Sequence, residues 1–178
     1  DYLFLIQFSK AWSFAILKSD NLEEMKIAAS TVNELINFEM GLHISLCKKY
    51  GISKFDLENT EEENENIAYT RYVLELGYSG DFLDLLSALA PCVLGYGEIG
   101  INLKDSNPKI SMYRKWIETY SSSEYQNVCF NVGKLIDKSF KLRLGENYTN
   151  TYKWNKANQI FKKATSLEVD FWSMALKE

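Results

Sequence analysis

The run Ala90-Pro91-Cys92-Val93-Leu94-Gly95-Tyr96-Gly97-Glu98-Ile99-Gly100 holds the first residues whose types and spacing could do chemistry. Proline inside a helix removes one amide donor and crowds the carbonyl four residues earlier, here Ser87. The spacing therefore predicts a kink and loosened backbone beside Cys92. Tyr96 falls one turn after Cys92 on the same helix face. Gly95, Gly97 and Gly100 would let other groups approach this helix closely. Helical glycines cost about 1 kcal/mol each relative to alanine, so three of them imply a packing or site reason. A cysteine placed this way is either a nucleophile or one more small buried hydrophobe, and these residues leave both readings open. As a nucleophile, Cys92 is expected to be the only one of the three cysteines with a lowered pKa. It would then be the first to react with iodoacetamide near neutral pH, since Cys47 and Cys129 sit in ordinary amphipathic stretches.

A second anomaly lies near the end of the chain, where Ile160, Ala164, Leu167, Phe171 and Ala175 form an apolar stripe that includes Glu168. A carboxylate on a core face needs a partner, a cavity or a proton, because burying it unpaired is expensive. Desolvation raises its pKa, which suits a general acid near neutral pH. A structural carboxylate bonded to a tyrosine or tryptophan fits the same position. Asp1 shares a face with Leu5, Phe8 and Trp12, so three separate helices each direct one reactive or ionisable side chain inward. Tyr69, Tyr96 and Tyr120 would add phenolic hydrogen bonds and ring faces. A flat, nitrogen-rich heterocycle suits such a pocket, with carboxylates reading its ring nitrogens and an aromatic ring stacking on it. His43, one turn after Glu39 on an apolar face, reads as a hydrogen-bonded core partner of that glutamate.

Positioning these side chains calls for long helices. Only two prolines and nine glycines punctuate 178 residues, which favours helices over many short strands. The i, i+4, i+7 spacing of Asp1, Leu5, Phe8, Trp12 and Ala15 predicts a helix over Asp1–Lys18. Met25, Ala28, Ala29, Val32, Ile36, Glu39, Met40 and His43 predict one long amphipathic helix over Asn21–Tyr50, ended by Gly51. The acidic run from Asn59 to Asn66 reads as a solvated loop or helix start. Further helices are expected over Ile67–Tyr78, Asp81–Lys104, Ile110–Thr119, from a Ser121–Ser123 cap to Leu144, and over Thr151–Leu176. Asn107–Pro108 marks a turn. Neither an internal repeat nor an interdomain linker is present, so a single all-α domain over residues 1–178 is expected.

Composition narrows the function. Twenty basic and 24 acidic side chains are interspersed without a basic stripe, which argues against nucleic acid as a partner. No run of about 18 apolar residues suggests a membrane span. Three widely spaced cysteines match neither a disulfide framework nor a zinc pattern, and a reducing cytoplasm is the expected compartment. A single histidine leaves little from which to build a His-rich metal site. The chain begins at Asp1 within an apolar pattern and without an initiator methionine, so it is read as lacking its true N-terminus.

Six ordered segments together resemble the TenA (thiaminase II) family. Asp1-Tyr2-Leu3-Phe4-Leu5 resembles its Gln-Asp-Tyr-x-(Tyr/Phe)-Leu stretch, Glu39 to His43 its Glu-x-x-x-His helix, and Ala68-Tyr69-Thr70 its Tyr-Thr element. Pro91-Cys92 followed by Tyr96-Gly97-Glu98-Ile99-Gly100 resembles the catalytic-cysteine helix. Tyr113 to Tyr120 resembles Tyr-x-x-Trp-Ile-x-x-Tyr, and Glu168 to Ala175 resembles the closing Glu-x-x-Phe-Trp-x-Met-Ala. The resemblance implies a haem-oxygenase-like multi-helix bundle, preceded by N-terminal helices absent here, and a cytoplasmic homotetramer.

Its implied activity is hydrolysis of aminopyrimidines such as 4-amino-5-aminomethyl-2-methylpyrimidine, and of thiamin, to the hydroxymethylpyrimidine. No metal or organic cofactor is called for. By resemblance Cys92 matches the nucleophile and Glu168 the proton donor. Asp1, Tyr96 and Tyr120 match substrate contacts, with Tyr69 and Phe171 lining the ring faces and Phe4 standing where some members carry tyrosine. Cys92 excludes the branch of the family without an active-site cysteine. The alternative expectation is a non-catalytic pyrimidine- or thiamin-binding protein of the same fold.

Overall fold

A computed structural model describes residues 1–105 and 113–177. Among these residues there are nine α-helices and no strand: α1 (Tyr2–Lys18), α2 (Leu22–Glu34), α3 (Met40–Lys49), α4 (Lys54–Asn59), α5 (Asn64–Ser79), α6 (Phe82–Lys104), α7 (Arg114–Tyr120), α8 (Ser123–Leu144) and α9 (Tyr152–Met174). Side-chain caps fix most of the starts by satisfying amide donors that a first turn leaves unpaired. Asn21 caps α2, Ser122 caps α8 and Thr151 caps α9, each accepting from a backbone amide of the first turn. Asp81 and Asp84 form a reciprocal capping box on α6. Gly51 and Gly145, with φ of 79° and 80°, take the left-handed conformation just past α3 and α8.

α6 is the central helix, packed against α1, α5, α7, α8 and α9. Every residue from Phe82 to Val93 is buried. Burial of each large apolar side chain in that run contributes about 1.5–3 kcal/mol. By length and composition α6 would also suit a membrane span. In this bundle, though, its most apolar stretch is 72% buried inside the protein, which is the role of a core helix. The helix runs through Pro91 without interruption.

Two glycines of α6 set how closely its second half can be approached. A Cβ on Gly97 would stand 2.5 Å from Cys129 Sγ of α8, and one on Gly100 would stand 2.7 Å from the backbone of Tyr120. The α7–α8 corner therefore lies directly on α6. Gly95 was expected to allow a similar approach, yet nothing comes near it.

The structure departs from the sequence reading in three places. The single helix expected over Asn21–Tyr50 is two α-helices joined by a π-helical turn, Leu35–Glu39. A π-turn holds one extra residue, so the faces before and after it are out of register with a continuous α-periodicity. α4 was not foreseen; its start is a capping box between Ser53 and Asp56. α5 begins at Asn64, inside the acidic run, so Glu65 belongs to its first turn. The turn at Asn107–Pro108 and the helix start at Ile110 lie outside the described residues.

Two ion clusters tie helix ends together. Buried Asp84 of α6 meets Lys153 and Lys156 of α9 at 2.7 and 2.9 Å. Buried Glu24 of α2 meets Arg143 of α8 at 2.7 Å and accepts from Ser139 at 2.6 Å.

Candidate active site

Between α1, α2, the π-turn, α6 and α8 opens a cavity of about 1130 Å³. Asp1 and Phe4 of the first helix, Glu39 of the π-turn, Cys92 and Tyr96 of α6, and Tyr120 of α7 all lie on its wall. The α6 face carrying Cys92 and Tyr96 is held in place from α8: the Tyr125 hydroxyl donates to the Val93 carbonyl at 3.2 Å, and Gln126 Nε2 donates to the Gly97 carbonyl at 3.1 Å. Gln126 also donates to the Tyr120 carbonyl at 3.0 Å, joining α7 to the same corner.

Glu168, Tyr69 and Phe171 are not on that wall. They form a layer against which Phe4, Cys92 and Tyr96 rest. Tyr69 is fully buried and stacks on Phe4 with ring centroids 5.4 Å apart, while Phe171 meets Phe4 at 5.1 Å. Phe4 takes the wall position in the ligand-free structure, and Tyr69 and Phe171, expected to line the ring faces, pack behind it. Trp172 Nε1 donates to Glu168 Oε1 at 3.0 Å. The Tyr69 and Tyr96 hydroxyls stand near enough to favour the carboxylate. Even so, Glu168 Oε2 and the Tyr69 hydroxyl are both buried without an aligned hydrogen bond. Leaving buried polar atoms unsatisfied costs about 1–3 kcal/mol each.

Burial, the largest effect, raises the Glu168 carboxyl above the ordinary range, and the nearby Tyr69, Trp172 and Tyr96 donors only partly offset it. Glu39 is raised in the same way, with Tyr120 as the offset, and the Tyr120 hydroxyl donates to Glu39 Oε1 at 3.1 Å. Cys92 is buried, and its thiol is pushed well up, first by burial and then by the charges of Glu168 and Glu39. That direction is opposite to the lowered pKa expected for Cys92. Pro91 loosens nothing that would hydrate the sulfur, and both nearby carboxylates disfavour a third negative charge.

His43 also differs from expectation. Its Nδ1 lies 3.8 Å from Asp1 Oδ2, whereas Glu39 is taken by Tyr120. Asp1, expected on an inward face, is half-exposed at the cavity mouth. Beyond the predicted residues, Trp116 and Trp172 join Tyr96 and Tyr120 in one aromatic cluster, with Tyr96–Trp172 centroids at 5.4 Å and Trp116–Tyr120 at 4.5 Å. Trp172 was findable from sequence, because it follows Glu168 by one turn. Glu39 was legible as part of the stripe with His43, but its hydrogen bond with Tyr120 was not, since Tyr120 lies 81 residues away in sequence. Among the described residues no group of three or more His, Cys, Asp or Glu side chains converges as a metal-binding set.

Comparison with known proteins places this geometry in context. The family model described as TENA/THI-4/PQQC family matches residues 1–178. An uncharacterized protein of Haemophilus influenzae is 33% identical over 178 residues, covering 99% of this chain and 80% of that one. An aminopyrimidine aminohydrolase of Halalkalibacterium halodurans is 33% identical over 181 residues, covering 100% of this chain and 78% of that one. The crystal structure of a TenA family transcription regulator from Silicibacter sp. TM1040 superposes with a TM-score of 0.96 at 50% identity, over 100% of this chain and 79% of that one.

Proposed function

The chain belongs to the TENA/THI-4/PQQC family, and from that premise we propose that it is a thiamin-salvage hydrolase. Its substrates are aminopyrimidines such as 4-amino-5-aminomethyl-2-methylpyrimidine, and thiamin; its product is the hydroxymethylpyrimidine. The observation that carries the reading is the convergence of Cys92 from α6 and Glu168 from α9, the latter with a raised pKa and one buried oxygen unpartnered. The aminopyrimidine aminohydrolase among its relatives supports the same chemistry.

In the proposed reaction the Cys92 sulfur adds to C6 of the pyrimidine while protonated Glu168 gives its proton to N1, breaking aromaticity. Electrons from the 4-amino nitrogen then pass through C4 and C5 to form an exocyclic methylene. The bond to the leaving nitrogen breaks with both electrons on that nitrogen. Water adds to the methylene, the proton returns from N1 to Glu168, and the thiolate departs. Asp1 accepts from the 4-amino group and orients the ring, Tyr96 and Tyr120 supply phenolic contacts, and Phe4 offers its face.

Two features of the ligand-free site add requirements. Burial, and then the neighbouring Glu168 and Glu39, push the Cys92 thiol up, so forming the thiolate calls for a changed environment on substrate binding. Glu168 is buried and does not line the cavity of the ligand-free site, so proton transfer calls for a closer approach of the ring to it. Incubating the protein with the aminomethylpyrimidine should release ammonia and the hydroxymethyl product in equal amounts. Binding of the pyrimidine with no ammonia released would reduce the protein to the non-catalytic binder.

A further inference from the structure

Glu39 is an ionisable group on the cavity wall that the proposed reaction leaves without a role, and it is hydrogen-bonded to Tyr120. It closes the π-turn Leu35–Glu39 and shares the wall with Cys92, Tyr96 and Tyr120. The Tyr120 hydroxyl donates to Oε1 at 3.1 Å. A carboxylate has about four acceptor sites, so one phenol leaves most of its capacity unused. Among the described residues no lysine, arginine or histidine forms an ion pair with it; His43 pairs with Asp1 and Lys138 with Glu23. The ionisable groups acting on Cys92 are thus Glu168 and Glu39, both acidic. A half-buried carboxylate held by one phenol and facing a cavity is complementary to a cation.

We infer that Glu39 is the specificity-determining contact for the positive charge on the substrate's leaving group. The inference rests on the hydrolase reading above. At neutral pH the aminomethyl substituent is an ammonium and the thiazole ring of thiamin is a thiazolium, whereas the hydroxymethyl product is neutral. The charge is therefore present in both substrates and absent from the product. When the C–N bond breaks, its electron pair goes to nitrogen: the ammonium leaves as ammonia and the thiazolium as neutral thiazole. Glu39 takes no proton and keeps its charge throughout, so the pairing holds substrate and releases product. A cation seated beside Glu39 also opposes the part of the upward push on the Cys92 thiol that Glu168 and Glu39 add to burial.

The test is calorimetric binding at pH 7 of the aminomethyl- and hydroxymethylpyrimidines to the wild type and Glu39→Gln, with ammonia release assayed in parallel. The wild type should bind the amine at least about tenfold more tightly than the alcohol. Glu39→Gln should lose that preference by about tenfold or more while its Kd for the alcohol stays within about twofold. An intact preference, or both affinities falling together, overturns the inference. If Glu39→Gln does not fold, Glu39→Asp keeps the charge on a shorter arm and should narrow the preference severalfold; no change would overturn it.

The two readings fail separately. A preference abolished by Glu39→Gln without any ammonia release removes the hydrolase and keeps the charge contact. Ammonia release with a preference that survives the mutation does the reverse. A wild type that binds neither pyrimidine overturns both.

Discussion

At the scale of single residues, Glu168 connects sequence to mechanism most directly. Its place on an apolar stripe was legible, and so was the choice it posed between a general acid and a structural carboxylate bonded to an aromatic donor. The structure contains features of both: Trp172 holds Oε1, while Oε2 is buried and unpartnered. Glu168→Gln decides between them. If Glu168 is the acid, the amide should leave pyrimidine binding nearly unchanged and lower kcat by about 10²–10⁴-fold. A purely structural role predicts full turnover with a loss of about 1–3 kcal/mol in stability. The pH profile adds a sign. A general acid must be protonated, so wild-type kcat should fall as pH rises through the raised Glu168 pKa, and Glu168→Gln should lack that limb. At Cys92 the neighbours in sequence pointed to a reactive thiolate, whereas burial and two carboxylates distant in sequence, Glu168 and Glu39, push the thiol up.

At the scale of elements, apolar spacing and caps located six of the nine helices closely, because i, i+4, i+7 stripes and Asn, Ser or Thr caps report local physics. What they could not report was the change of phase at Leu35–Glu39. A π-turn leaves the composition of a long helix intact while redirecting Glu39 toward Tyr120 and leaving His43 to Asp1. The coupling of α6 to α9 was equally hidden, since Asp84, Lys153 and Lys156 look like ordinary surface charges in sequence. The two lysines hold the Asp84 carboxyl below its ordinary value despite burial, which acts the other way. A depressed carboxyl pKa stabilises the fold above the unfolded-state value and loses that contribution as pH falls through the folded-state value. Asp84→Asn should therefore cost about 1–3 kcal/mol in urea melts at pH 7, and the difference from wild type should shrink below about pH 4. A pH-independent difference would assign the loss to the α6 capping box alone.

At the scale of the whole molecule, family and fold were legible because six motifs are distributed along the entire chain, from the start of α1 to the end of α9. The division of the site into a wall and a supporting layer was not, since it depends on Phe4 standing in front of Tyr69 and Phe171. The account as a whole stands on covalent attack by Cys92. Turnover of 4-amino-5-aminomethyl-2-methylpyrimidine by Cys92→Ala, with the pyrimidine dissociation constant measured on the same sample, tests it most directly. The account predicts binding within a few-fold of wild type and no ammonia above the uncatalysed background. Ammonia release at the wild-type rate by a Cys92→Ala protein would contradict it.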